Sequence, residues 1–150
     1  MKNYLFLFFI LFTLLLSCNN ANQSKTTDAK DSTTVSSNAE VIIYYFHGER
    51  RCASCIAIED ETNKTLASNF KTEHESGKIS FQDINIDKEE NIALAEKYQV
   101  AGSALFVIKN ENGKDVDISD LTGDGFKFAL NKPEMFNEKL TAAINKYLNK

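Results

Sequence analysis

Val41-Ile42-Ile43-Tyr44-Tyr45-Phe46-His47-Gly48-Glu49-Arg50-Arg51-Cys52-Ala53-Ser54-Cys55 is the stretch on which the reading of this chain turns. Its first six residues are an unbroken apolar run that reads as a strand. Its last four, Cys52-Ala53-Ser54-Cys55, open a segment of helical period. A thiol in the first turn of a helix feels the positive end of the peptide dipoles, which favours the thiolate, the nucleophile of disulfide exchange. The pair therefore reads as a redox dithiol, with Cys52 attacking from the helix start and Cys55, one turn on and more shielded, resolving. Arg50 and Arg51 bring positive charge beside Cys52 as thiolate-stabilising residues, or are a solvated surface pair. The plainer reading of the dithiol is a static disulfide brace, although a bridge closing so short a loop removes little chain entropy.

Working outward, the period alternates. The helical segment extends from about residue 52 to 75, with Cys55, Glu59, Thr62, Leu66 and Phe70 on one stripe expected to face a sheet. A second strand over 79–86 has Ile79 and Phe81 in one phase and Ile84 and Ile86 in the other. A shorter helix over 89–98 offers Ile92, Leu94, Ala95 and Tyr98 as its apolar face. A strand over 104–108, a turn at Asn110-Glu111-Asn112-Gly113 and a partner strand over 116–118 read as a hairpin. The last helix starts near Pro133 and carries Phe136, Leu140, Ala143, Ile144, Tyr147 and Leu148 at core spacing. This order implies an α/β fold in which a central mixed β-sheet is flanked by helices on both faces.

Two further side chains are candidates for proton handling. Glu59 lies on the stripe expected to be buried, and burial raises a carboxyl pKa toward the range where it can exchange the proton of Cys55. The alternative is a helix-edge glutamate paired with a lysine or water. His47 ends the first strand close enough to relay protons or, with Cys52 and Cys55, to complete a Cu(I) ligand set. The alternative there is a capped surface histidine. His74, in a polar run, and Tyr44 and Tyr45, read as packing, carry no expected chemistry.

The element order, the dithiol at the first strand-to-helix junction, and Asp83-Ile84-Asn85-Ile86-Asp87 followed by Ala95-Glu96-Lys97-Tyr98-Gln99-Val100-Ala101-Gly102 resemble the thioredoxin superfamily over roughly residues 40–150. The resemblance implies a thioredoxin-like fold and thiol-disulfide oxidoreductase chemistry, with the redox-active disulfide and no other cofactor. Thioredoxins carry a buried Asp late in the first strand; Tyr44-Tyr45-Phe46 has no acid, which leaves Glu59 as its replacement. They also have a cis-proline facing the cysteines, where this chain has Gly102-Ser103-Ala104-Leu105. A cis non-proline bond costs about 2.5–4 kcal/mol, so the Ser103-Ala104 bond is expected to be trans, with both residues in the loop facing the dithiol. More narrowly, Tyr44-Tyr45-Phe46-His47 and Arg51-Cys52-Ala53-Ser54-Cys55 with Glu59 are similar to the motif of nitrophenyl-compound nitroreductase subunits, ArsF-like. That group is associated with efflux of aromatic arsenicals. The copper chaperones built on the same fold supply the alternative, a Cu(I) module on Cys52, Cys55 and His47, although their cysteine spacing is wider.

At the other end, Lys2 and the apolar run from Leu5 to Leu16 read as a secretory leader over residues 1–17, too short to span a bilayer. Leu15-Leu16-Ser17-Cys18 resembles the lipobox of bacterial lipoproteins, which implies a lipidated Cys18; an ordinary leader would leave Cys18 an odd thiol. Residues 18–39, nearly devoid of large apolar side chains, read as a flexible tether. The stretch from residue 40 to 150 suits one domain of about 110 residues. A net charge of −4 without a long basic run argues against nucleic acid as a partner. An even pair of cysteines suits an oxidising compartment, and a zinc site would want a second pair. The expected setting is the bacterial cell envelope, lipid-anchored and periplasm-facing, with a membrane thiol reductase and a disulfide or other redox substrate as partners.

Overall fold

The structure, a computed structural model, describes residues 38–149. The expected leader, Cys18 and the tether through residue 37 lie outside the described residues. Strand β1 (Val41–His47) is buried along its whole length because it is central in the sheet and covered on both faces. It leads into helix α1 (Ala53–Asn69), a short helix α2 (Lys71–Glu75) and strand β2 (Ile79–Asn85). A single 3-10 turn at Glu89–Asn91 opens helix α3 (Ile92–Lys97), and strands β3 (Ala104–Glu111) and β4 (Lys114–Asp120) form a hairpin. Helices α4 (Thr122–Phe128) and α5 (Pro133–Leu148) close the chain.

The sheet order is β2-β1-β3-β4. β2 runs parallel to β1, which requires the crossover that α1 and α2 supply, whereas β3 runs antiparallel to β1 and β4 antiparallel to β3. One face of β1, Val41, Ile43 and Tyr45, packs with Ile58 and Leu66 of α1 and with Phe136, Leu140, Ile144 and Tyr147 of α5. The other, Ile42, Tyr44 and Phe46, packs with Ile84, Ala104 and Ile108 under Leu94, Tyr98 and Val100. The phase change read along the second strand is this division: Ile79 and Phe81 join the first cluster, Ile84 and Ile86 the second. This mixed sheet flanked by helices is the thioredoxin-like arrangement that the resemblance implies.

Four boundaries differ from the periodicity. The first helical segment breaks at Phe70, which leaves helical backbone (φ −135°, ψ 24°) to seat its ring in the core. Ile92 is exposed rather than part of the buried face of α3, which turns only Ala95 fully inward. The hairpin strands extend further than their apolar residues, joined through Asn112 and Gly113 at φ 54° and 80°, the left-handed pair that a two-residue hairpin turn demands. Helix α4 has no counterpart in the expected order, and its two glycines are poor helix formers. Gly125 is there for space: a Cβ on it would stand 3.0 Å from the Ile58 side chain, so α4 seats on α1 through a bare backbone. Among the described residues no helix is long and apolar enough to cross a membrane.

Phe136 is fully buried between α5 and the sheet. Phe136→Ala is expected to lower unfolding stability by about 3–5 kcal/mol in urea titrations, through lost transfer energy and the cavity left behind; a loss below about 1 kcal/mol would contradict this core assignment.

Candidate active site

Cys52 is the residue that caps α1. Its backbone is extended (φ −84°, ψ 167°), and its sulfur accepts the N–H of Cys55 at 3.3 Å, taking the place of the hydroxyl or carboxylate oxygen usual at that position. Cys52 is exposed and Cys55 buried, both are free thiols, and their sulfurs lie 2.7 Å apart. That geometry gives the pair its division of labour, since an incoming disulfide can reach the outer sulfur while the inner one waits behind it. A disulfide bond of about 2.05 Å lies within side-chain reach of this arrangement.

Groups from three directions meet at Cys55. The Tyr45 hydroxyl, rising from β1, donates to the Cys55 carbonyl at 2.8 Å, and Arg51 Nη2 reaches the same oxygen at 3.3 Å. Ser103, in the loop before β3, places its hydroxyl oxygen 3.6 Å from the Cys55 sulfur, and every peptide bond among the described residues is trans, the Ser103-Ala104 bond included. Ala104 is buried and opens β3 opposite Phe46, so its contribution is to anchor the loop. Burial pushes the Cys55 thiol up, but hydrogen bonds from Cys52, Ser103 and Tyr45 outweigh it and leave its pKa below the ordinary cysteine value. At the Cys52 sulfur the donor is the Cys55 N–H of the first helical turn, while the Cys55 sulfur has the Ser103 hydroxyl beside it. With the sulfurs this close, losing one proton leaves the remaining S–H donating to its neighbour, so ionisation belongs to the pair.

The expected charge-bearing residues are arranged otherwise than anticipated. Glu59 stands at the edge of the buried stripe, whose centre is Ile58, Thr62, Thr65 and Leu66, and is bound to Arg51 at 2.6 Å. Its place in the site is to hold Arg51 rather than to meet a sulfur. Arg51 folds over the Tyr45 ring at 5.6 Å, so its charge is directed to Glu59 and a carbonyl, while Arg50 is exposed. His47 is buried and stacked on Tyr45. Its Nδ1 lies 2.8 Å from the Gly48 carbonyl, which only accepts, so Nδ1 carries a proton; Nε2 lies 3.0 Å from Asp83 Oδ1. Both ring nitrogens are engaged, and among the described residues no three His, Cys, Asp or Glu side chains gather as a metal-binding group. His47 is directed to Gly48 and Asp83 in this structure rather than to the cysteines.

Asp83, Asn85 and Asp87 are the site residues that the strand reading passed over. Asp83 sits in register with Tyr45, two residues beyond Phe81 on β2, at an exposed position beside His47. A carboxylate that continues the sequence alternation of Ile79 and Phe81 is the signal that could have found it. Asp87 accepts the Glu49 N–H at 2.7 Å, and the Asn85 amide donates to the Glu49 side chain at 2.7 Å. These contacts tether the loop that delivers Cys52.

No family model matches the chain, and no curated protein does. Among solved structures, the chain is similar to a variant thioredoxin from Halobacterium salinarum (23% identity, 75% of this chain and 79% of that one, TM-score 0.46). Fasciola hepatica thioredoxin is similar at 21% identity over 74% and 84%, TM-score 0.46. Trypanosoma brucei brucei thioredoxin is similar at 17% over 87% and 97%, TM-score 0.45. Each likeness is distant.

Burial raises the Asp83 carboxyl above its ordinary value; His47 and Arg51 oppose this and Glu59 adds to it. An acid with a raised folded-state pKa holds its proton more tightly when folded, so its contribution to stability is lost as pH rises through that value. Asp83→Asn is expected to gain stability relative to the unmodified protein as pH rises from the ordinary carboxylate pKa through the raised one. Urea midpoints across that window check this; a variant that loses ground as pH rises would contradict the sign.

Proposed function

We propose that the protein is a thiol-disulfide oxidoreductase tethered to the membrane by a lipid on Cys18 and facing the periplasm. The observation that carries the chemistry is the exposed Cys52 sulfur capping α1 with the Cys55 sulfur 2.7 Å behind it. The Cys52 thiolate attacks one sulfur of a substrate disulfide, forming a mixed disulfide and releasing the other substrate sulfur as a thiolate. Cys55 gives up its proton and attacks Cys52, closing the internal disulfide and releasing the second substrate thiolate. Two electrons pass to the substrate, whose thiolates take up protons. Two electrons from a membrane thiol reductase restore the dithiol. In the opposite direction the same steps oxidise a dithiol.

Cys52→Ser is expected to reduce disulfide exchange by the full chain to the uncatalysed rate, whereas Cys55→Ser accumulates a mixed disulfide through Cys52. Exchange surviving in Cys52→Ser would sink the reading, and a Cys55→Ser protein that traps no partner would reduce the dithiol to a brace. For the tether, Cys18→Ser is expected to move the protein from the membrane fraction to the soluble one; unchanged fractionation would remove the lipid anchor.

The narrower motif likeness supports a more specific form, a redox subunit in detoxification of nitroaromatic compounds or arsenicals. A dithiol can pass two electrons to a pentavalent organic arsenical, becoming a disulfide while arsenic becomes trivalent and one oxygen leaves as water. Reduced full chain would then lose the free thiols of Cys52 and Cys55 to such a compound faster than Cys52→Ser loses Cys55.

A further inference from the structure

Thiol exchange, the reading on which this step rests, needs Cys55 to ionise before it resolves the mixed disulfide, and the surroundings of Cys55 specify how. Among the described residues, the side chains bonded to it are the Tyr45 hydroxyl from β1, the Ser103 hydroxyl from the loop before β3, Cys52 on its own turn and Arg51 at its carbonyl. The charged groups farther out answer to each other: Glu59 on α1 to Arg51, and Asp83 on β2 to His47 on β1. The contacts at the inner sulfur itself are therefore with hydroxyl and thiol, not with a carboxylate.

Tyr45 is fully buried, and its hydroxyl has one proton to donate. That proton is directed to the Cys55 carbonyl, which also has Arg51 Nη2 as a second donor. An oxygen with two donors can release one without being left bare, and a hydroxyl hydrogen rotates to suit its acceptors. We propose that Tyr45 and Ser103 form a two-hydroxyl cradle for the ionised Cys55 sulfur, Tyr45 turning its proton from carbonyl to sulfur as the thiolate appears while Arg51 keeps the carbonyl. Tyr45 is thus a positioning residue for the resolving step. Burial, and then the Cys55 charge, hold the Tyr45 hydroxyl protonated well above its ordinary range, so the donor persists wherever Cys55 titrates. Hydrogen bonds to an ionised group are about twice as strong as neutral ones, which is what lets such a pair of neutral donors offset burial.

The test uses the full chain with Cys52→Ser, which keeps a hydroxyl at the cap and leaves Cys55 without its redox partner. The Cβ carbon-13 shift of Cys55 is followed against pH, alone and with Tyr45→Phe or Ser103→Ala added. Each addition is expected to move the ionisation midpoint upward by about one pH unit, a tenfold loss of thiolate at fixed pH below the midpoint. Tyr45→Phe keeps the ring and its packing. Should it nevertheless unfold, 3-fluorotyrosine incorporated in place of tyrosine retains the hydroxyl as a stronger donor and is expected to lower the midpoint. Midpoints that stay put in folded variants overturn the cradle even if the protein exchanges disulfides. Midpoints that move in a protein without exchange activity support the cradle and count against the oxidoreductase reading instead.

Discussion

Everything at the site depends on one hydrogen bond, from the Cys55 backbone N–H to the Cys52 sulfur at 3.3 Å. It makes a cysteine the cap of α1, so the outer sulfur sits at the unpaired N–H groups of the first turn, and the α-helical spacing then places the second sulfur beneath it. The cap holds only because both of its flanks are fixed. On one side β1 is locked at the centre of the sheet with strands bonded to both edges. On the other, the loop that carries the chain from β1 to the cap is tied to the end of β2 through Glu49, Asn85 and Asp87. A Cβ added at Gly48 would stand 3.1 Å from the Asp87 carboxylate, so that loop has little freedom to swing.

Around this cap the charges are arranged in pairs. Arg51 answers Glu59, and His47 answers Asp83, at 2.6 and 3.0 Å. Pairing removes most of the field that a lone buried charge would impose on the sulfurs and spares each ion an uncompensated burial. What remains in contact with Cys55 is a set of neutral donors, whose influence is short-ranged and directional. The inner thiol is consequently governed by geometry: a displaced loop at Ser103 or a rotated Tyr45 changes its ionisation, whereas surface charge does so weakly through solvent.

The architecture was legible where period and chemistry agree. The apolar run at 41–46 became the central strand, and the six apolar positions of the last helix, from Phe136 to Leu148, are all buried. Elements whose cause is tertiary were not. Helix α4 carries Gly125 where Ile58 of α1 approaches it closely, and nothing local in the sequence announces that neighbour. At the site, the two cysteines could be read from spacing alone, since their roles follow from helix geometry. Tyr45 could not, because a tyrosine in an apolar strand looks like packing until a carbonyl is found over its hydroxyl. Glu59 was placed on the right helix but given the wrong partner: the reach of Arg51 back across the first turn is a matter of side-chain rotamer. Asp83 shows the reverse, a polar residue continuing an apolar alternation, whose purpose appears only when the adjacent strand sets it beside His47.

The most direct test of the central claim is the equilibrium of the two sulfurs with a redox buffer. Full chain held in glutathione buffers of graded potential, then acid-quenched and weighed by mass spectrometry, is predicted to gain and lose two hydrogens reversibly at Cys52 and Cys55, along a single two-electron curve. Sulfurs that stay in one state across the whole range, or that change only by pairing with Cys18, would contradict it.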